Sequence, residues 1–298
     1  MKKILILVIC LFFLVGCSDN TSDTQSKDKL TSEIKYFSSH IAKLLNDLNN
    51  ISLQNYELTS RKVNIDSSSN NSSSSEGSSS SGSSSNSGGQ SQSGSGQGSS
   101  QNNDQSAESQ SITVTDMQAN SVLKTNTDDI NWDLVKTEIE QINTSWSVVM
   151  LDLQNANVSN TDIMAFSNLL DKTIISIKNE DKNTSLTNLT ALYSYIPKFL
   201  NSVSMDKSLQ NIETTKYNIF IAYTAVSQDD WNTANTNIAN AETSFLSVLN
   251  DTNYYQNREF KINKSYVLLK DMQNSIVNMD KELFFLKYKN LMESLNTL

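Results

Sequence analysis

From Leu30 the apolar positions keep a four-three rhythm: Leu30, Ile34, Phe37, Ile41, Leu44, Leu48, Ile51 and Leu58, with Asn55 the one interruption. That spacing lines one face of a helix and predicts an amphipathic helix over 30–65. Its heptads also permit a coiled coil, but Ser, His and Leu stand where pairing charges would sit. Docking on the rest of the chain is the expected fate; self-association and lying on a membrane are the alternatives. A second rhythmic stretch opens near Ile130. Trp132, Val135, Ile139, Ile142, Trp146, Val149 and Leu153 predict a long helix, broken at 155–159. Ser159 with Asp162 resembles a capping box, and Ile163, Phe166, Leu170, Ile174 and Ile177 line the next helix.

Between these regions the rhythm stops. Residues 66–111 are Ser, Gly, Asn and Gln with almost no apolar side chain. Such a tract cannot bury enough surface to offset its ordering entropy, so a disordered linker is expected. As a flexible coil it would span roughly 35–40 Å, either lifting a domain outward or forming a loop whose ends return to one body. Residues 112–129 form a transition with scattered apolar positions.

The stretch 130–298 carries an internal repeat. Offsets of 49 and then 50 residues superpose Asp181, Asp230 and Asp280. The same offsets superpose Leu170, Ile219 and Leu269 before the turn, and Leu189, Ile238 and Tyr288 after it. Each unit reads as helix, tight acidic turn, helix. At the second turn the Ser227 hydroxyl can cap free backbone N–H groups, while the carboxylates face the positive end of the following helix. Tetratricopeptide units repeat at 34 residues and do not fit. Pro197, the one proline, should kink or restart its helix, and 251–256 is expected to be a loop. The Trp231, Ala234, Ile238, Ala241, Phe245, Val248 series predicts that Trp231 belongs to the core. The fold class is therefore all-α: an antiparallel helical bundle or a short array of αα-hairpins.

The first residues tell a different story. Met1-Lys2-Lys3, an apolar run from Ile4 to Val15, and Gly16 before Cys17 have the parts of a secretory signal peptide. The run is too short for a membrane span of about 20 residues. Leu14-Val15-Gly16-Cys17 resembles the lipobox of bacterial lipoproteins. The resemblance implies removal of 1–16, a diacylglyceryl group on Cys17, and a polar stalk over 17–29. It places the mature protein outside the cytoplasm, tethered to a membrane. In layout, the Trp132 and Trp146 helix, the hairpin turns and Lys287-Tyr288-Lys289-Asn290-Leu291 resemble the uncharacterised helical lipoproteins of low-GC anaerobic bacteria, which bring no activity with them.

Charge sharpens this. The formal net charge of −9 becomes about −11 once Lys2 and Lys3 leave with the signal peptide. Such a surface argues against nucleic acid and against adhesion to anionic lipid, so attachment must come from acyl chains. Cys10 lies in the signal peptide and Cys17 is the lipidation site, which leaves no disulfide and no thiolate metal site.

Candidate chemistry is sparse. His40 is the one histidine and stands outside 130–298, so a Ser-His-Asp triad or a His-ligated metal site cannot be built there. It is read as a residue without a chemical role. Glu180, Asp181, Asp229, Asp230 and Asp280 lack the alternation of a calcium loop and are read as caps. No catalytic residue, metal ligand or cofactor is assigned. Candidate binding residues are Tyr254 and Tyr255, expected in a loop, and Tyr193 and Tyr195 before Pro197, because tyrosine joins an apolar ring to a hydrogen-bonding tip. The expected function is a lipid-anchored, non-catalytic envelope protein whose helical domain binds a protein or cell-wall polymer. The alternative is a small-ligand receptor with a Tyr/Trp-lined pocket in the bundle.

Cys17→Ala should abolish fatty-acid incorporation and leave a precursor or a released protein. Mass spectrometry of the wild-type N-terminus without an acyl group would refute the assignment.

Overall fold

The computed structural model describes residues 20–53, 60–62, 110–112, 122–124 and 126–298. The signal segment with Cys17, most of the Ser-rich tract and most of the 112–129 transition lie outside the described residues. The chain divides into two units. One holds a small antiparallel ribbon, β1 (Ser60–Lys62) with β2 (Gln110–Ile112), in which Ser60 faces Ile112. The other unit is all-α.

Helix α1 (Asn20–Asp47) begins ten residues before Leu30 and ends earlier than its apolar rhythm predicts. At its start, Lys29 reaches Asp152 at 2.8 Å and also pairs with Glu33, and once nucleated a helix extends through polar residues at little cost. Its end is set by Asn50, which takes a left-handed φ of 55° while Ile51 N–H bonds Asn46 C=O at 2.9 Å. Asparagine tolerates that conformation, and the buried Ile51 closes the motif against the last turns. Leu30, Ile34, Phe37, Ile41, Leu44, Leu45 and Leu48 are all buried. The helix packs against α2 (Trp132–Asn155), α4 (Lys182–Tyr193) and α5 (Tyr195–Val203). Of the three expected fates, docking is the one observed.

The remainder is a series of hairpins. α3 (Asn160–Lys178) pairs with α4, α6 (Lys207–Ser227) with α7 (Trp231–Leu249), and α9 (Glu259–Val277) with α10 (Lys281–Leu295). All three corners share one construction. Glu180, Asp229 and Met279 adopt φ of 56°, 63° and 49°, and the next residue is an aspartate that caps the following helix. Asp181, Asp230 and Asp280 accept from Thr184, Thr233 and Leu283 N–H groups, each at 3.0 Å. At the first two corners the aspartate N–H also closes the preceding helix on Ser176 and Ala225 carbonyls. One residue thus ends one helix and starts the next, which is how the spacing of the repeat becomes a tight turn. The α2–α3 corner is one residue longer, with Asn157 left-handed and Ser159 as cap.

Neighbouring corners are tied side by side. Gln228 donates to Asn183 C=O and Thr187, and Lys281 reaches Asp229 at 2.8 Å. Pro197 sits in the first turn of α5, where no N–H is needed, just after the break at Ser194. Residues 252–255 form a single helical turn, α8 (Thr252–Tyr255), capped by Asp251, instead of a loop. Trp231 is half-buried at the first position of α7, edge-on to Phe284 at 6.4 Å, whereas Ala234, Ile238, Ala241, Phe245 and Val248 are buried. Its place at the rim of the bundle, beside the corner, keeps part of the indole in solvent.

Left-handed backbone costs a residue with a Cβ about 1–2 kcal/mol relative to glycine. Met279 is 65% exposed, so its side chain contributes little packing. Met279→Gly should raise stability by about 0.5–1 kcal/mol, after the entropy penalty of glycine, as read from urea unfolding.

Candidate functional site

A half-open cleft of about 610 Å³ runs along α1. Lys35, Ser39, Ala42 and Asn46 contribute one wall at helical spacing, and Ile51 to Leu53 continue it beyond the helix end. The opposite wall is the first turns of α6, with Asp206, Leu209, Ile212, Glu213 and Lys216. Tyr254 and Arg258 close one end, together with Leu295, Asn296 and Leu298.

The floor is a buried ionic group. Glu213 is 3% exposed, and both of its oxygens are taken. Lys216 Nζ reaches Oε1 at 3.1 Å, while Ser38 and Tyr193 donate to Oε2 at 2.6 and 2.5 Å. Burial pushes the Glu213 carboxyl upward, but the Lys216 charge and the hydrogen bonds outweigh it and hold the group below the carboxylate range. Tyr193 is driven the other way, first by burial and then by the neighbouring Glu213 charge.

Two further tyrosines behave like Tyr193. Tyr223 donates to Leu45 C=O at 2.8 Å and Tyr288 to Asn46 Oδ1 at 2.6 Å, both fully buried and both pushed upward chiefly by desolvation. Polar groups on the buried side of α1 therefore meet phenol hydroxyls from α4, α6 and α10. On the outer flank, His40 pairs through Nδ1 with the buried Glu138 and stacks near Tyr36, with ring centroids 3.9 Å apart. Lys43 bridges Glu138 and Asp47 at 3.4 and 2.7 Å. Burial raises the Asp47 carboxyl more than the Lys43 contact lowers it.

The cleft brings together only part of the expected tyrosine set. Tyr193 lies in its floor, and Tyr254 in its wall, where the hydroxyl donates to Leu298 O at 2.7 Å and Arg258 covers the ring at 4.2 Å. Tyr255 is half-buried on α8 and accepts from Asn263 at 2.7 Å. Tyr195 packs with Phe166 and Phe199, away from the cleft. No tryptophan lines the cleft, and the space among Ile34, Phe37, Trp146, Phe166 and Phe199 has no room for water. Cys17 lies outside the described residues.

Comparison with protein-family models, curated proteins and solved structures finds no match. The site has to be read from its own chemistry. Ser38, Asn46, Glu213 and Lys216 were not singled out by sequence. The available signal was the pair of polar residues flanking the apolar stripe of α1, and a lone glutamate within the buried face of α6. Among the described residues, no group of three or more His, Cys, Asp or Glu is placed to hold a metal ion. What the arrangement supplies is hydrogen-bond donors, fixed charge and an apolar rim.

Tyr193→Phe keeps the ring but removes one of two donors to a buried carboxylate oxygen, and should cost about 1–3 kcal/mol. Tyr195→Phe should change stability little. Because Glu213 titrates lower in the fold than its ordinary value of 4.5, its contribution is complete above that pH and lost as pH falls through the folded value. The three buried tyrosines titrate above their ordinary 10.0, so their contribution is complete below that pH and lost as pH rises past it. Alkaline titration followed by tyrosinate absorbance should show these phenols ionising only with loss of helical circular dichroism.

Proposed function

We propose that this chain is a non-catalytic protein of the cell envelope, held to a membrane by a diacylglyceryl group on Cys17, whose helical body binds a protein or cell-wall polymer through the α1–α6 cleft. The supporting observation is the cleft. It is half-open, so a segment of a larger partner can enter it, and its floor is ordered by the Glu213 group before any partner arrives. Preorganised polar groups of this kind reduce the ordering cost of binding.

Cys17 and the first described helical residue, Asn20, are three residues apart and can span at most about 10 Å. An acyl group on Cys17 would then keep the body close to the bilayer surface. No helix among the described residues is long and apolar enough to cross a membrane, so the proposal relies on the acyl group alone. The Ser-rich tract lies between α1 and the hairpins in sequence, yet α1 and the hairpins form one unit.

A small-ligand receptor is the second reading, favoured by the cleft volume, which falls within the roughly 300–1,000 Å³ of small-molecule sites. A photoreactive residue at Ser39, exposed on the cleft wall, should form a discrete macromolecular adduct in cells, and Arg258→Glu should abolish it. The same residue at Val267, exposed away from the cleft, should give none. A melting shift with small molecules and no Ser39 adduct would favour the receptor.

A further inference from the structure

We infer that the cleft is built to take an anionic group, a carboxylate or a phosphate, with the Asn46 side-chain amide as its central donor. The inference rests on the reading of the cleft as the binding site, and it names the chemistry that reading leaves open.

Asn46 is 3% exposed, and its Oδ1 receives the Tyr288 hydroxyl at 2.6 Å. A phenol is a better donor than acceptor, so this contact turns the carbonyl oxygen inward and leaves the NH2 group for the cleft. Among the described residues, that nitrogen has no hydrogen-bond partner. Asn46 lines the cleft, so an oxygen entering it can accept from that N–H.

The charges around it are unevenly engaged. Each side-chain carboxylate of the cleft already serves another group: Glu213 holds Lys216, Ser38 and Tyr193, Asp47 holds Lys43 at 2.7 Å, and Asp206 caps the Leu209 N–H at 2.9 Å. Lys35 and Arg258 line the same cleft, and no carboxylate pairs with either among the described residues. Arg258 is instead steadied over the Tyr254 ring at 4.2 Å. A cation entering the cleft meets occupied carboxylates. An anion finds donors free of carboxylates at separate positions of the cleft: the Asn46 amide, the Lys35 ammonium and the Arg258 guanidinium. That surplus of donors stands in a chain whose formal charge is −9.

The test uses the protein as purified from cells, in detergent at fixed ionic strength. Four probes are titrated by calorimetry: inorganic phosphate, glutarate, N-acetylglucosamine and spermidine. Saturable binding of phosphate or glutarate is expected, and whichever binds identifies the source of the charge. Asn46→Asp keeps an oxygen for Tyr288 but replaces the donor by a negative oxygen, and should weaken anion binding by at least about ten-fold, the effect of losing about 1.4 kcal/mol. Arg258→Ala alters an exposed side chain, should leave the melting point unchanged, and should weaken the anion several-fold. This second variant keeps the test decisive if Asn46→Asp folds poorly. Anion binding insensitive to both variants would overturn the inference. So would binding of the sugar or the polyamine without the anions, although the cleft would then remain the site. If none of the four binds, the inference falls, and the Ser39 crosslink decides separately on the cleft.

Discussion

The structure depends on the seam between α1 and the hairpins. An αα-hairpin array presents one apolar trough, and here α1 fills it with a row of buried leucines, isoleucines and one phenylalanine. A helix that is apolar on one stripe would need only apolar partners. This one is buried over a wider arc, and with the turn that follows it buries Ser38, Asn46 and Asn49. Each polar group taken from water there would cost stability unless paired. Glu213, Tyr288 and Ser227 pair them, from α6 and α10. The register of α1 is therefore set by hydrogen bonds as well as by volume: sliding it by one turn would place leucines opposite phenols and strand the hydroxyls.

The same seam explains the cleft. Where α1 stays in contact with α2, α4 and α5 the interior is filled, as around Trp146, whose indole N–H donates to Ser167 at 2.8 Å. Further along, α1 parts from the first turns of α6, and the gap is lined by charged groups that could not be left in a dry core. Glu213 tolerates burial because Lys216 sits three residues on, one helical turn away, and because two hydroxyls reach it from α1 and α4. Removing one partner from such a group is costly, since the charge stays behind.

Much of the fold was legible because it was written in local patterns. The 3.6-residue period marked the faces of α1, α2 and α3, and the spacing of Asp181, Asp230 and Asp280 marked three corners of one design. What the pattern could not carry was any decision made between distant elements. The end of α1 at Asn50 was hidden because Ile51 keeps the apolar rhythm past the stop, and only the left-handed backbone reveals that it folds back. Trp231 kept the phase of a core residue but lies at the rim beside a corner, a matter of where the helix begins and not of which face it shows. The tyrosines were misjudged for a related reason. A Tyr in a helix reads as apolar, and its hydroxyl acquires a meaning only when Ser38, Leu45 or Asn46 arrives from more than 100 residues away. The candidate site inherits this limit, because Asn46, Glu213 and Arg258 come from three elements that no spacing connects.

The two ends of the hairpins are built by different rules. At the corners, each aspartate has both a backbone and a side-chain task, and Glu180 and Asp229 spend their side chains on Lys136 and Lys281. Changing one residue there disturbs two helices, so this end has little freedom. At the other end, α7 and α9 are joined by a longer link through α8, whose Tyr254 reaches the last residue, Leu298. That is where the cleft opens and where Arg258 and Tyr254 stand. Loops on a rigid frame tolerate change because the frame does not rely on their backbone for its closure. A binding surface placed there can alter its chemistry while the corner end and the α1 seam keep the walls at a constant separation.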